Sequence, residues 1–419
     1  MRYDTLAKWL AWQETVHPVE MDLGLSRTRL VHEALGGGGP PPFPLVTVAG
    51  TNGKGSTVAF AQALLTAAGA RTGTYTSPHL VDYNERIRID GEPVPDAAIM
   101  TAFDRIDRAR GGVTLTYFEF GTLAAVEVFR AAGVDAAVLE VGIGGRLDAV
   151  NVFDADAAVV TPVDIDHVRW LGPDRESIGR EKAGIFRAGR PAVIADRDPP
   201  ASLVAEAERI GARALRLGRD FDAVPAGGGW RWQGPEGEVD ELPAPPLTGR
   251  FQLDNAAAAL MALDAIGRLP EPATVRRGIA GTRLAGRFQV LPGEVPVVLD
   301  IAHNPHAARS LAATLRSSRT PGREIAVAGL LEDKDAAGVI DATADVFDRW
   351  YVAQPAGERG GSAEALARTV RLRVRNATVE VCGDVPSALR RARAAVRPGD
   401  RIVVFGSCYT VGEVLAAGS

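Results

Sequence analysis

Cysteine is nearly absent. Cys382 and Cys408 are the two in 419 residues, and neither sits in a metal-type spacing. A disulfide framework is therefore excluded as an organising device, which fits a reducing compartment such as the cytoplasm. A basic surplus is lacking too. The formal net charge is -5, with acids and bases interspersed, so the basic face that a nucleic acid needs is not there. A local basic pocket for a small anion stays open. No apolar run reaches membrane-spanning length. Residues 1–18, MRYDTLAKWLAWQETVHP, carry Asp4 and Glu14 and lack the apolar stretch of a secretory leader. Repeats at solenoid periods are missing. What remains is a cytoplasmic α/β protein with neither nucleic-acid nor membrane partners, too long for one ordinary core and so expected to form two domains.

Two familiar glycine motifs are present only in broken form. VAGTNGKGST (48–57) looks like a phosphate loop, yet Val48 stands where the first Gly of the usual pattern belongs and Gly55 where its hydroxyl belongs. GIGG (142–145) is followed by Leu147, so the dinucleotide fingerprint is incomplete as well. The context of the first motif is nevertheless right. LVTVAG (45–50) reads as a buried strand, and STVAFAQALLTAAG has helical spacing and ends at Gly69. Gly50, Gly53 and Gly55 let backbone N–H groups approach an anion, and the helix adds its positive end. Lys54 can reach the terminal phosphates, and Ser56 or Thr57 can offer a hydroxyl near magnesium.

Around this loop the pattern alternates. Helices are expected at 4–12, 26–35, 119–132, 175–184, 201–210 and over NAAAALMALDAIG, with strands at DAAVLEVG, AAVVTPV and PAVIA. Alternation implies a mostly parallel sheet covered on both faces. Residues 218–247 read instead as exposed hairpins. A second βα array starts near 295 with VPVVLDIA, EIAVAGLL, RWYVAQ and RIVVFG as strands, and RFQVLPGEVP is the expected link. The fold class is thus α/β: an N-terminal P-loop ATPase domain over 1–290 with a mostly parallel sheet, and a smaller Rossmann-like α/β domain over 296–419.

Several polar residues sit where strands end, the usual place for ligands in open α/β sheets. Glu140 lies in an apolar strand and needs either a metal ion or a buried salt bridge. Asp164, Asp166 and His167 close another strand, and His167 could ligate a metal or cap the strand. Asp300, His303 and Asn304 follow a third. GSCYTVGEV (406–414) is a further strand-to-helix turn suited to a small anion, with Cys408 read as a packed thiol. By themselves, Ser77 in TSPHL reads as a turn residue, Lys182 as a surface lysine, His306 as a surface residue and Phe118 as a core residue.

The order of these pieces resembles the folylpolyglutamate synthase/dihydrofolate synthase family of the Mur ligase superfamily. The likeness runs over nearly the whole chain, through MDLGLSRTRL, VAGTNGKGST, TSPHL, TYFEFGTLAA, LEVGIGGRLDAVN, DHVRWLGPDRESIGREKAGIF, LDIAHNPHAA, LLEDKD and GSCYTVGEV. The resemblance implies that Gly53, Lys54, Gly55 and Ser56 hold the ATP phosphates. Asn255, Arg287 and Asp300 complete the nucleotide site. Ser77, Glu140 and His167 ligate magnesium, and Lys182 carries a carbamate. Lys54, Lys182 and His303 are the catalytic set, with His303 and Ser407 on the glutamate side. The pterin acid falls to Leu23, Gly24 and Leu25, to Thr116, Tyr117, Phe118 and Glu119, and to Leu147, Asp148 and Ala149. It implies a Mur central-type ATP-binding domain and a C-terminal glutamate-ligase domain. The implied cofactors are ATP, two magnesium ions and potassium or another monovalent cation. The partners are small molecules (dihydropteroate, folates and L-glutamate), and the enzyme is a monomer. A muramyl-peptide ligase would need a nucleotide-sugar domain before the loop, for which residues 1–47 are too few. A P-loop switch protein would leave Glu140 and the second array without a purpose.

Overall fold

The computed structural model describes residues 1–418. It divides the chain into two compact units: Met1–His79, Tyr83–Pro246 and Leu253–Thr282 form the first, and Leu80–Asp82, Leu247–Gln252 and the chain from Arg283 onward form the second.

The first unit is built on eight strands: β1 (Leu45–Ala49), β2 (Thr72–Tyr75), β3 (Ile87–Ile89), β4 (Glu92–Pro93), β5 (Ala136–Glu140), β6 (Ala157–Val160), β7 (Pro191–Ile194) and β8 (Arg213–Arg216). Their order across the sheet is β4-β3-β2-β5-β1-β6-β7-β8. The six from β2 to β8 run parallel, and β3 and β4 add an antiparallel edge. The central strands are apolar on both faces. Every residue of β1, β5, β6 and β7 is buried, as expected where helices cover both sides. The chain enters at β1, crosses to β2 beyond β5, and later places β6 on the other side of β1. Ligands bind beyond the strand ends at such a reversal.

Residues 218–247 form a separate antiparallel sheet of β9 (Asp222–Ala226), β10 (Gly229–Gln233) and β11 (Glu238–Leu242) in the order β11-β10-β9. The expectation of exposed hairpins is half right. The strands are hairpins, but Trp230 and Trp232 are buried on one face, the period-two pattern of a sheet with one dry side.

The second unit is a six-stranded sheet of β12 (Gln289–Leu291), β13 (Val297–Asp300), β14 (Glu324–Ala328), β15 (Arg349–Ala353), β16 (Thr378–Cys382) and β17 (Arg401–Phe405), in the order β12-β13-β17-β14-β15-β16. All pairs are parallel except β12 with β13. Apolar helices pack both faces, in two core clusters around Val298 and Phe405 and around Leu299 and Val404. The expected link RFQVLPGEVP (287–296) falls inside this unit. Residues 289–291 already pair as a strand of the second sheet, and the second unit takes the chain from Arg283.

Candidate active site

The site in the first unit starts where β1 ends. Gly50 has φ 147°, and a side chain there would run into Thr161. The loop is tied to the segment after β6: the Thr51 N–H donates to the Pro162 carbonyl at 2.9 Å, and the Thr51 hydroxyl donates to the Asp164 carbonyl at 2.9 Å. Gly53, with φ 95°, caps the helix Lys54–Ala67, and a Cβ on it would strike the side chain of the buried Asn255. Asn255 therefore lies against the loop. Lys54 folds back, and its Nζ donates to the carbonyls of Gly50 at 3.0 Å and Thr51 at 3.2 Å. Ser56 and Thr57 are both buried in the first helical turn, and Thr57 Oγ1 has no hydrogen-bond partner there.

Lys182 comes to the same point from another helix, Arg175–Ala183. It is 3 % exposed, so reading it as a surface lysine is wrong. Its Nζ donates to the Gly50 carbonyl at 2.9 Å, the carbonyl that Lys54 also uses. Burial, and then the charge of Lys54, push its pKa down to about 7. The helix is fastened on its other side. Arg146 grips Glu181 with Nε and a terminal nitrogen at 3.1 and 2.8 Å, and Asn151 Nδ2 donates to the Gly184 carbonyl at 3.0 Å.

Glu140 is the last residue of β5 and is buried. Its Oε2 accepts from the Ser77 N–H at 3.1 Å, so two of the three expected metal ligands are neighbours. Carboxylate and hydroxyl oxygens are the donors that magnesium prefers, and Glu140 and Ser77 carry one of each. The group fits. His167 is placed differently from the expectation. β6 stops at Val160, and His167 lies seven residues later at φ 51°, capping the short helix Val168–Leu171. Among the described residues no group of three His, Cys, Asp or Glu side chains could hold a metal. The segment carrying His167 is braced at Val163. Its N–H donates to buried Asp196 at 2.9 Å and its carbonyl accepts from Arg175 Nε at 2.8 Å.

The three stretches expected to take a pterin acid converge. The Gly24 N–H donates to the Leu147 carbonyl at 3.0 Å, joining the first to the third. Glu119 joins the first to the second, accepting from Thr28 Oγ1 at 3.0 Å and pairing with Arg27 at 3.2 Å. Glu119 and Thr116 also form a capping box, so both serve chiefly to fix the start of the helix Tyr117–Ala132. That turn leaves Tyr117 and Phe118 half-exposed, which corrects the reading of Phe118 as simple core. Phe118 lies against Gly142, where a Cβ would meet its ring on one side and Asp148 on the other. Asp148 is buried and accepts from the N–H groups of Ile143 and Val150 at 2.9 and 3.0 Å, yet burial still raises its pKa to about 6.

In the second unit, Asp300 ends β13 and accepts from the N–H groups of Phe288 and Ala302 at 2.9 and 2.8 Å. Burial raises its pKa, while the charge of Arg287 opposes the rise. His303 Nδ1 bonds the Ile301 carbonyl at 2.9 Å, and Asn304 caps the helix Pro305–Ser317. Ser407 is fully engaged with Thr410. Its Oγ lies 2.8 Å from the Thr410 hydroxyl and accepts the Thr410 N–H at 3.0 Å. Burial raises the Cys408 thiol, consistent with packing rather than reactivity.

Sequence reasoning missed the stretch after β7. Arg197 grips Asp254, the neighbour of Asn255, with both nitrogens at 2.9 and 2.6 Å, and bonds Asp222 at 2.7 Å. Asp196 meanwhile holds Val163. The run ADRD directly after an apolar strand was the available signal.

Comparison with known proteins gives the family. Residues 48–263 match the Mur ligase middle domain and residues 286–408 the Mur ligase glutamate ligase domain. The dihydrofolate synthase/folylpolyglutamate synthase of Escherichia coli is 43 % identical over 410 residues, covering 98 % of this chain and 94 % of that one. The solved structure of E. coli FolC in complex with DHPP and ADP superposes with a TM-score of 0.94 at 43 % identity, over 99 % of this chain and 97 % of that one. A bifunctional folylpolyglutamate synthase/dihydrofolate synthase with Mn, AMPPNP and L-glutamate bound gives 0.91 at 43 % identity, over 99 % and 98 %. With that identity over nearly the whole of both chains, the chain belongs to the dihydrofolate synthase/folylpolyglutamate synthase family of Mur ligases.

Proposed function

We propose that this chain is a bifunctional ATP-dependent ligase that adds L-glutamate to 7,8-dihydropteroate and to tetrahydrofolates. The observation that carries the reading is the meeting of Lys54 and Lys182 on the Gly50 carbonyl, in the unit that also holds the Phe118 shelf. A carboxylate is a poor acyl donor because oxide is a poor leaving group. Transfer of the γ-phosphoryl group of ATP to a carboxylate oxygen forms an acyl phosphate and releases ADP. The glutamate amine then attacks the carbonyl carbon, loses a proton, and inorganic phosphate leaves. Lys54 offsets charge on the transferring phosphoryl. Magnesium supplies further charge neutralisation at the phosphates when bound; Ser77 and Glu140 would hold it, with His167 as the third proposed ligand.

Lys182 supports a second part of the reading. An amine must be neutral to add to carbon dioxide, and a pKa of about 7 keeps a large share of this buried amine neutral near physiological pH. The product is a carbamate and a proton, which turns a cation beside Lys54 into an anion. We assign nucleotide binding to Gly53, Lys54, Gly55, Ser56 and Asn255, and likewise to Arg287 and Asp300. His303 and Ser407 serve glutamate, and Leu23 to Leu25, Thr116 to Glu119 and Leu147 to Ala149 serve the pterin acid. The proposed complement is ATP, two magnesium ions and a monovalent cation, in a monomeric cytoplasmic enzyme. The described residues contain no helix long and apolar enough to cross a membrane.

Isotope transfer tests the chemistry directly. Dihydropteroate labelled with 18O in its carboxylate should yield inorganic phosphate carrying one 18O per turnover. Unlabelled phosphate would show that ATP is spent on something other than this carboxylate.

A further inference from the structure

Arg86 is a cation without an anion. It ends the short turn Tyr83–Arg86 and leads into β3, directly across from the end of β2, where the Thr76 N–H donates to the Arg86 carbonyl at 2.9 Å. Ser77 is the next residue, so Arg86 borders the phosphate-loop end of the sheet. Its guanidinium is half-buried and lies 5.5 Å from the ring centres of both Tyr83 and Tyr117. Its Nε donates to His79 Nδ1 at 2.8 Å. Among the described residues no carboxylate pairs with it, whereas most arginines of this chain that are as enclosed, such as Arg27, Arg110 and Arg401, have one.

Two more buried polar groups lie nearby. The hydroxyls of Tyr75 and Tyr83 are buried without a hydrogen bond of ordinary geometry, the Tyr75 hydroxyl facing Arg86 and Thr122, and both lie close to Gly121, where a Cβ would come within 2.9 and 2.7 Å of them. Burial pushes the Tyr75 phenol up to about 12 and Tyr83 well above its usual range, so both remain O–H donors. The Tyr75 ring is 5.8 Å from Phe118. A guanidinium and two phenol donors therefore lie along the edge of the aromatic shelf.

The two proposed acids differ in one respect that matters here. Dihydropteroate has one carboxylate, and it reacts. A folate ends in a glutamyl residue with two carboxylates, of which one reacts and one is a spectator. Taking that spectator charge out of water without a counterion is costly. In the proposed chemistry Lys54 and Lys182 serve the reacting end.

We infer that Arg86 binds the spectator carboxylate of the terminal glutamyl residue of folate substrates and so sets the balance between the two activities. This rests on the folate reading above. A planar guanidinium that is already enclosed suits a carboxylate.

The test compares kcat/KM for tetrahydrofolate with kcat/KM for dihydropteroate in the wild type, Arg86→Gln and Arg86→Lys. Losing a hydrogen bond to a charged group typically costs about 1.5–3 kcal/mol, so the tetrahydrofolate-to-dihydropteroate ratio should fall on the order of 10-fold or more in Arg86→Gln, with partial recovery in Arg86→Lys. A tetrahydrofolate whose spectator carboxylate is a primary amide should lose a similar factor with the wild type and little more with Arg86→Gln. An unchanged ratio, or an amide analogue that serves the wild type as well as its parent, overturns the inference. The amide comparison uses wild-type protein and holds even if the variants fold poorly. A wild type that turns over neither acid would instead overturn the folate reading beneath it.

Discussion

At the scale of single residues, the account turns on two lysines that point at one carbonyl. Lys54 is expected to be indispensable for chemistry and dispensable for folding. Removing a main charge-stabilising donor typically costs on the order of 100-fold or more in rate. Lys54→Ala should therefore nearly abolish ADP formation while thermal unfolding changes little, and near-normal turnover would sink the phosphate-loop assignment. Lys182 should reveal itself in stability. Its folded pKa of about 7 lies below the ordinary 10.5, so between those values the unfolded chain holds a proton that the folded chain has shed. Stability then rises with pH across that window, by up to about 1.4 kcal/mol per pH unit. The full penalty for burying the ammonium is felt below pH 7. In carbon dioxide-free buffer, urea unfolding of wild type measured against Lys182→Met should show a growing relative advantage for wild type from pH 7.5 to 9.5. A constant difference would mean that Lys182 titrates normally.

Residue identity alone misread Lys182 because burial is a tertiary property. Nothing in EKAG says that this face of the helix turns toward Gly50. Glu140 was legible because a carboxylate in an apolar strand raises an immediate question about its partner. Arg86 was not, since ERIRIDG looks the same whether its arginine faces water or an aromatic wall.

At the scale of elements, the strand, loop and helix around VAGTNGKGST were legible because a β-branched run, clustered glycines and a helical apolar period follow one another. His167 was placed too close to its strand because TPVDIDH continues the apolar alternation after the strand has stopped pairing. The Trp230 and Trp232 hairpin looked exposed because its charged partners alternate with the buried rings. The stretch Asp196–Asp198 makes an element-scale prediction. Arg197 holds Asp254, and Asp254 precedes Asn255, which lies against Gly53. Arg197→Gln should raise KM for ATP several-fold, with kcat and KM for the acid substrate changed much less. Arg197→Lys should recover part of the loss. A uniform fall in kcat with all KM values intact would assign Arg197 a purely structural role. Because Arg197 is partly exposed, the ion pair itself should add little to stability.

At the scale of the whole molecule, two α/β units were legible from length and alternation, but their junction was not. RFQVLPGEVP reads as a linker because of its prolines and glycine, yet Gln289–Leu291 donates a strand to the second sheet. Short edge strands carry too little pattern to be separated from a loop. The two units nevertheless divide the proposed chemistry sensibly, with the phosphate loop and aromatic shelf in one and Asp300, His303 and Ser407 in the other. Such a chain should spend ATP only when both an acid and an amine are supplied.

The most direct measurement is therefore ADP release by the purified protein with ATP, magnesium and L-glutamate, adding 7,8-dihydropteroate in one reaction and tetrahydrofolate in another. The account predicts release that depends on glutamate and is stimulated by each acid. Release that neither acid raises above the glutamate-only control would contradict it.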